Sequence, residues 1–212
     1  MKAIANPTAT TNEIVNHFFR HEHGKMVAHL AKSYGTSNIE HIEDAVQEAL
    51  VKAVQVWPFK YIPDNPTAWI FQTARNKLID TLRQITNRQN LVHNYQPNEN
   101  ENGTVVFLKG ELRDDQLRMI FACCHPEVSP ENQIILTLKI LCGFTVSEIA
   151  RALLKKKETV AKAYTRAKAH FKKQNLALNV PEGQELKERL SIVQKIVYLL
   201  FNEGLSLIHI SE

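Results

Sequence analysis

Three kinds of residue in this sequence could do chemistry: adjacent thiols, spaced imidazoles and a dense run of cations. Cys123, Cys124 and His125 stand in a row. Consecutive side chains diverge on a helix, which is poor geometry for a nucleophile–base pair or for a single zinc ion. His17 and His21 fall at i, i+4, a metal-ligand spacing, but no further ligand accompanies them. Both sets therefore read as structural. There is no Walker-type glycine loop and no carboxylate pair in an evident cleft. The expectation is a protein that is not an enzyme and that uses no metal and no cofactor.

The cations say more. Residues 151–173 hold nine of them (Arg151, Lys155, Lys156, Lys157, Lys162, Arg166, Lys168, Lys172, Lys173) against one acid, Glu158, for a net +8. The whole chain carries +4, so everything else sums to −4. Such concentration suits a phosphate-binding surface, although a solvated lysine-rich helix face would look the same by charge alone. The local pattern separates the two. Thr145, with Glu148 three residues on, has the spacing of a helix-capping box. Ile149, Ala150 and Leu153 form the inner side of a short helix. A basic turn follows, then a longer helix whose inner side is Val160, Ala163, Tyr164, Ala167 and Phe171. This is a helix-turn-helix, with most of the charge on its second helix. Lys162 and Arg166 lie four apart on the side away from the apolar residues, where they could touch bases or phosphates.

The elements around this site are expected to be all helical. Ile14, Phe18, Phe19, Met26, Val27, Leu30 and Ala31 predict one long helix or two joined ones, and a polar break at residues 33–38 ends them. Ile42, Val46, Ala49, Leu50, Ala53 and Val54 predict the next helix, over residues 39–57. Pro58, Pro63 and Pro66 enforce a loop. Asn65 or Thr67 could cap the following helix, with Pro66 at its first position. Residues 93–103 are polar and read as linker. Pro126 stops a helix begun near Leu117, Ser129 and Pro130 open another, and Gly143 ends it. A last amphipathic helix spans residues 182–204. The organisation expected is two small helical domains, 10–90 and 114–175, joined by a flexible linker at 91–113, with a C-terminal helix at 180–206. The N-terminus lacks the apolar run of a signal peptide, and no stretch suits a membrane span. Three cysteines make no disulfide framework, so a cytoplasmic setting is expected.

Two segments carry a resemblance. Residues 44–53 (DAVQEALVKA) and 68–83 (AWIFQTARNKLIDTLR) resemble the paired region 2 helices of extracytoplasmic-function sigma factors, with the helix-turn-helix some seventy residues on as region 4. The likeness spans roughly residues 10–175. Residues 115–126 (DQLRMIFACCHP) are similar to a subgroup with a C-terminal helical-repeat extension, and residues 201–204 (FNEG) to the start of that extension. The resemblance implies that Asp44, Gln47 and Glu48 dock on core RNA polymerase. It implies that Tyr61, Asn65, Trp69, Arg75, Asn76, Lys77, Asp80 and Arg83 meet the minus-ten promoter element, the loop of residues 61–67 holding a flipped base. Lys155, Lys156, Lys157, Thr159, Lys162, Arg166 and Lys168 would meet the minus-thirty-five element as duplex. Asp80 could instead orient Arg83 or Arg75.

Many relatives carry Arg where this chain has Ala163, and residues 206–212 do not resemble the family's continuation, so a truncated C-terminus is expected. An anti-sigma factor, or the chain's own C-terminal extension, would be a further partner. Two other readings compete. A plain helix-turn-helix regulator accounts for residues 145–173 but not for the Trp69-to-Arg83 pattern, and an interaction scaffold has no need of the +8 segment.

Overall fold

The computed structural model describes residues 7–90, 109–176 and 178–209. Among them every regular element is helical: α1 (Pro7–His21), α2 (His23–Tyr34), a 3-10 turn at Thr36–Asn38, α3 (Ile39–Val56), α4 (Pro66–Asn90), α5 (Lys109–Cys123), α6 (Pro130–Ile140), α7 (Val146–Ala152), α8 (Lys157–Gln174) and α9 (Gly183–His209). The chain divides into two compact units. One comprises Met1–Glu22 with Glu40–Lys109, the other His23–Ile39 with Gly110–Glu212.

In the first unit α3 buries Ile42, Ala45, Val46, Ala49 and Ala53, while α4 buries Ile70, Phe71, Ala74 and Leu78. These are the i, i+3, i+4 and i+7 positions of amphipathic helices, so burial of the stripe fixes which side of each helix is left for function. Asn65 caps α4, its Oδ1 accepting the Ala68 N–H at 3.0 Å, and Pro66 takes the first helical position. Trp57 and Trp69 meet edge-on, ring centroids 5.3 Å apart, which ties the end of α3 to the start of α4 across the proline loop.

The second unit is built around α6, which packs on α7, α8 and α9. Its core joins Phe121 of α5 and Cys124 just past its end, Ile135 and Leu138 of α6, Ile149 of α7, Val160 and Ala163 of α8, and Ile192, Val193 and Ile196 of α9. The C-terminal helix expected as a separate element is thus an integral wall of this core. Arg189 of α9 is buried and donates to the Phe121 carbonyl at 3.0 Å, placing a cation at the C-terminal end of the α5 dipole. The side-chain amide of Gln133 donates to both the His125 and Val128 carbonyls at 2.8 Å and closes the loop between α5 and α6.

Two expectations are revised. Of the linker placed at 91–113, residues 91–108 lie outside the described residues, and residues 109–113 open α5. The first domain expected at 10–90 is not one contact unit, because His23–Ile39 groups with the second. The reason is visible at both ends of that segment. Gly24 lies so close to α6 that an added Cβ would stand 1.8 Å from the Leu141 carbonyl oxygen. The Thr36 hydroxyl donates to the Leu176 carbonyl at 3.2 Å. Between them, the wholly buried carboxylate of Asp115 on α5 takes His29 Nδ1, Lys32 Nζ and Arg118 Nη1, each at 2.9 Å.

Burial alone pushes the Asp115 carboxyl upward, but the hydrogen bonds and charges of Lys32 and His29 outweigh it and hold it below the ordinary carboxylate range. A depressed folded value means stability that is present above the unfolded value and lost as pH falls through the folded one. In urea unfolding, the gap between the parent and Asp115→Asn is therefore expected to be full at neutral pH and to shrink in acid. A gap constant with pH would refute this account of the cluster. Ile196→Ala should cost about 2–5 kcal/mol, the range for emptying a packed aliphatic site. A loss under about 0.5 kcal/mol, the size of an ordinary surface change, would mean that α9 is not part of the core.

Candidate polymerase and nucleic-acid interface

The outer side of α3 presents Asp44, Gln47 and Glu48, all exposed, because Ala45, Val46 and Ala49 turn inward. The same face continues to Val51, also exposed, an apolar residue that sequence reasoning left out. Its place one turn beyond Gln47 and Glu48 was readable; its exposure was not, since valine is usually an inner residue.

On α4, Asn76, Lys77, Asp80 and Arg83 are exposed. Gln72 Nε2 donates to Asn76 Oδ1 at 2.8 Å, which orients that amide. Arg75 is buried with its own partners, so it supports the helix from within rather than standing beside Lys77 on the surface. Lys77 Nζ lies 2.7 Å from Glu48 Oε2, and this hydrogen bond, with the Glu48 charge, raises the lysine's proton affinity. One pair thus links a residue assigned to polymerase docking with one assigned to DNA. In the loop before α4, Tyr61 is 74% exposed and Phe59 is 87% exposed. Phe59 carries the same signal in the sequence as Tyr61, an aromatic in a proline loop. Two bare aromatic rings suit stacking on unpaired bases. Asn65 caps α4, as described, and Trp69 is partly buried against Trp57, so both shape this loop.

In the second unit the capping box is complete. The Glu148 N–H donates to Thr145 Oγ1 at 3.2 Å, and the Thr145 N–H donates to Glu148 Oε2 at 2.7 Å. Ser129, by contrast, holds the N-cap position of α6 but makes no side-chain capping bond. From α7 the chain turns through Leu154, whose φ is +52°, and α8 begins after Lys156. With Val160, Ala163, Ala167 and Phe171 buried, Lys156, Lys157, Thr159, Lys162 and Arg166 are exposed together. Two of the expected phosphate ligands are otherwise engaged: Lys155 Nζ sits 2.7 Å from Glu131 Oε2, and Lys168 Nζ lies 5.1 Å from the Tyr164 ring centroid.

The thiols take no part. Burial pushes Cys124 and Cys142 up to about 12, so neither is a thiolate near neutrality. Among the described residues no group of three His, Cys, Asp or Glu side chains is placed to hold a metal. No described helix is long and apolar enough to cross a membrane.

Comparison with known proteins agrees with this geometry. Residues 19–88 match Sigma-70 region 2, and residues 118–171 match Sigma-70, region 4. The chain belongs to the sigma-70 family. Its region 4 is of the extracytoplasmic-function type. It is also similar to an uncharacterized protein of Rhizobium meliloti (strain 1021), 34% identical over 175 residues. That match covers 80% of this chain and 41% of the relative, so the chain spans well under half the length of the curated protein it matches. No solved structure matches.

In this sigma-70 member α7 packs on α8, and the capping box fixes where α7 begins. Thr145→Ala removes one side-chain acceptor and one donor, and is expected to cost about 1 kcal/mol of unfolding free energy in urea titration. Thr145→Ser should retain most of it, and equal losses in the two variants would show that the hydroxyl does not matter.

Proposed function

We propose that this chain is a sigma factor that binds core RNA polymerase and directs it to promoters for transcription initiation. The observation that carries the reading is the pairing, in one chain, of an exposed Asp44, Gln47 and Glu48 face within region 2 and a basic recognition helix within region 4. The α3 face docks on polymerase. Phe59 and Tyr61 receive an unpaired base of the minus-ten element, and Asn76, Lys77, Asp80 and Arg83 line the same strand. Asn65, Trp69 and Arg75 serve that element indirectly, by shaping the loop and helix. Lys156, Lys157, Thr159, Lys162 and Arg166 meet the minus-thirty-five element as duplex, Lys162 and Arg166 from the centre of the exposed face of α8. Lys155 and Lys168 join once Glu131 and Tyr164 release them.

The chain does no bond chemistry of its own, because polymerase supplies the catalytic centre; it needs no cofactor, and it works in the cytoplasm where polymerase is. An anti-sigma factor, or a C-terminal helical-repeat extension continuing from α9, is the further partner we assign. The extension accords with a relative whose length this chain spans only in part.

Tagged chain should retain purified bacterial core polymerase, and the triple variant Asp44→Ala, Gln47→Ala, Glu48→Ala should lose at least about tenfold in affinity, as expected when a few central contacts carry an interface. A folded parent that retains no polymerase would refute the sigma reading and leave a helix-turn-helix regulator that acts without docking.

A further inference from the structure

Leu154 combines two unfavourable features at one position. Its φ of +52° is left-handed, where the Cβ of an L-residue crowds the following carbonyl and glycine is the usual occupant. It is also 94% exposed, so no packing inside the chain offsets that strain. The backbone requires the conformation: the Leu154 N–H donates to the Arg151 carbonyl at 3.1 Å, and the Lys155 N–H to the Ala150 carbonyl at 2.8 Å, closing the end of α7. It does not require leucine. A strained residue that gains nothing internally is a candidate for contact with something outside.

The surroundings say what that is. Arg151, Lys156 and Lys157 are exposed around it, a positive rim that selects a polyanion over an ordinary protein surface. Leu154 stands three residues before the start of α8, and helix-turn-helix proteins bring the N-terminal end of this helix to the base edges. The apolar group a duplex offers there is the thymine 5-methyl, the one feature of the major groove that a leucine reads and a lysine does not. We propose that Leu154 is a specificity-determining residue, its side chain covering a thymine methyl at the edge of the duplex element read by α8. This rests on the sigma reading above and adds to it a base preference set by the turn rather than by the helix.

The test uses holoenzyme reconstituted from the full chain and bacterial core polymerase. Duplex promoter DNA randomised over the upstream element is selected by the parent, and each thymine of the selected motif is then replaced by deoxyuridine, which lacks only the methyl. One replacement at the motif edge is expected to weaken the parent about fourfold, the worth of one buried methyl group. Leu154→Gly and Leu154→Asn, both compatible with the left-handed turn, should bind thymine and deoxyuridine duplexes within about twofold of each other, with an unfolding midpoint no lower than the parent's. Equal methyl dependence in parent and variants would overturn the assignment and leave the helix-turn-helix reading intact. A clear loss of stability in Leu154→Gly would overturn it too, by showing an internal role. If the parent selects no upstream motif at all, both the assignment and the reading it rests on fail.

Discussion

A carboxylate with no exposed surface is tolerable only if its charge is met, and the second unit is organised around meeting the charge of Asp115. Desolvation of an isolated carboxylate would cost several kcal/mol, more than any single contact in a protein of this size recovers. Three nitrogens at 2.9 Å answer it, those of His29 and Lys32 from α2 and of Arg118 from α5 itself. The consequence is topological. Residues 86 apart in sequence, His29 and Asp115, become immediate neighbours. The α2 helix is then held with Gly24 against Leu141 and Thr36 against Leu176. Buried ion clusters contribute little net stability compared with apolar packing, but they strongly penalise alternatives in which one partner is missing. Asp115 thus acts less as glue than as a selector of which helix occupies this site.

Much of the recognition chemistry depends on what the core does not take. In α8 the apolar positions 160, 163, 167 and 171 are buried, and helical geometry leaves Lys162 and Arg166 on the opposite side. The absence of a long side chain at Ala163 is consistent with this, since that position faces inward. Two of the nine cations already have neighbours: Lys155 is drawn to Glu131 of α6, and Lys168 rests over Tyr164. Both engagements are partly exposed, so they are weak and easily exchanged for a phosphate. The first unit shows the same economy in the Glu48–Lys77 pair, where two groups assigned to different partners occupy each other meanwhile.

The sequence made the local features plain. Asn65 and Pro66 announced the start of α4, and Thr145 with Glu148 announced α7, because caps are short-range interactions encoded within four residues. The buried stripes of α3 and α8 followed from their period for the same reason. What was hidden is what depends on distant residues. Periodicity shows that α2 buries Met26, Val27 and Leu30 but not against which partner, so its grouping with α5, α6 and α8 could not be read. Arg75, Lys155 and Lys168 look like free cations until the residues beside them are known. Residues 109–113 were assigned to the linker along with the polar stretch at 93–103, yet they continue into a helix whose next turns are anchored in the core. The turn at Leu154 was equally hidden, since a left-handed backbone at a non-glycine leaves no mark in sequence.

Under the proposed function, the division of labour between two reading elements means that neither has to bind tightly. Exposed lysines and arginines contribute phosphate contacts that salt weakens, and one bare aromatic loop stacks on few bases. Joined in one chain and held on polymerase, the second contact becomes intramolecular, and its effective concentration replaces the affinity that each lacks. A pair such as Glu48 and Lys77 sharpens this dependence. Under the same proposal, the carboxylate of one interface screens a cation of the other while polymerase is absent, and docking that engages Glu48 would release Lys77 for the DNA strand. An exposed pair of this kind is worth no more than about 1 kcal/mol, enough to bias the order of events without blocking either. Such a coupling would be reciprocal: DNA that captures Lys77 would leave Glu48 freer to dock.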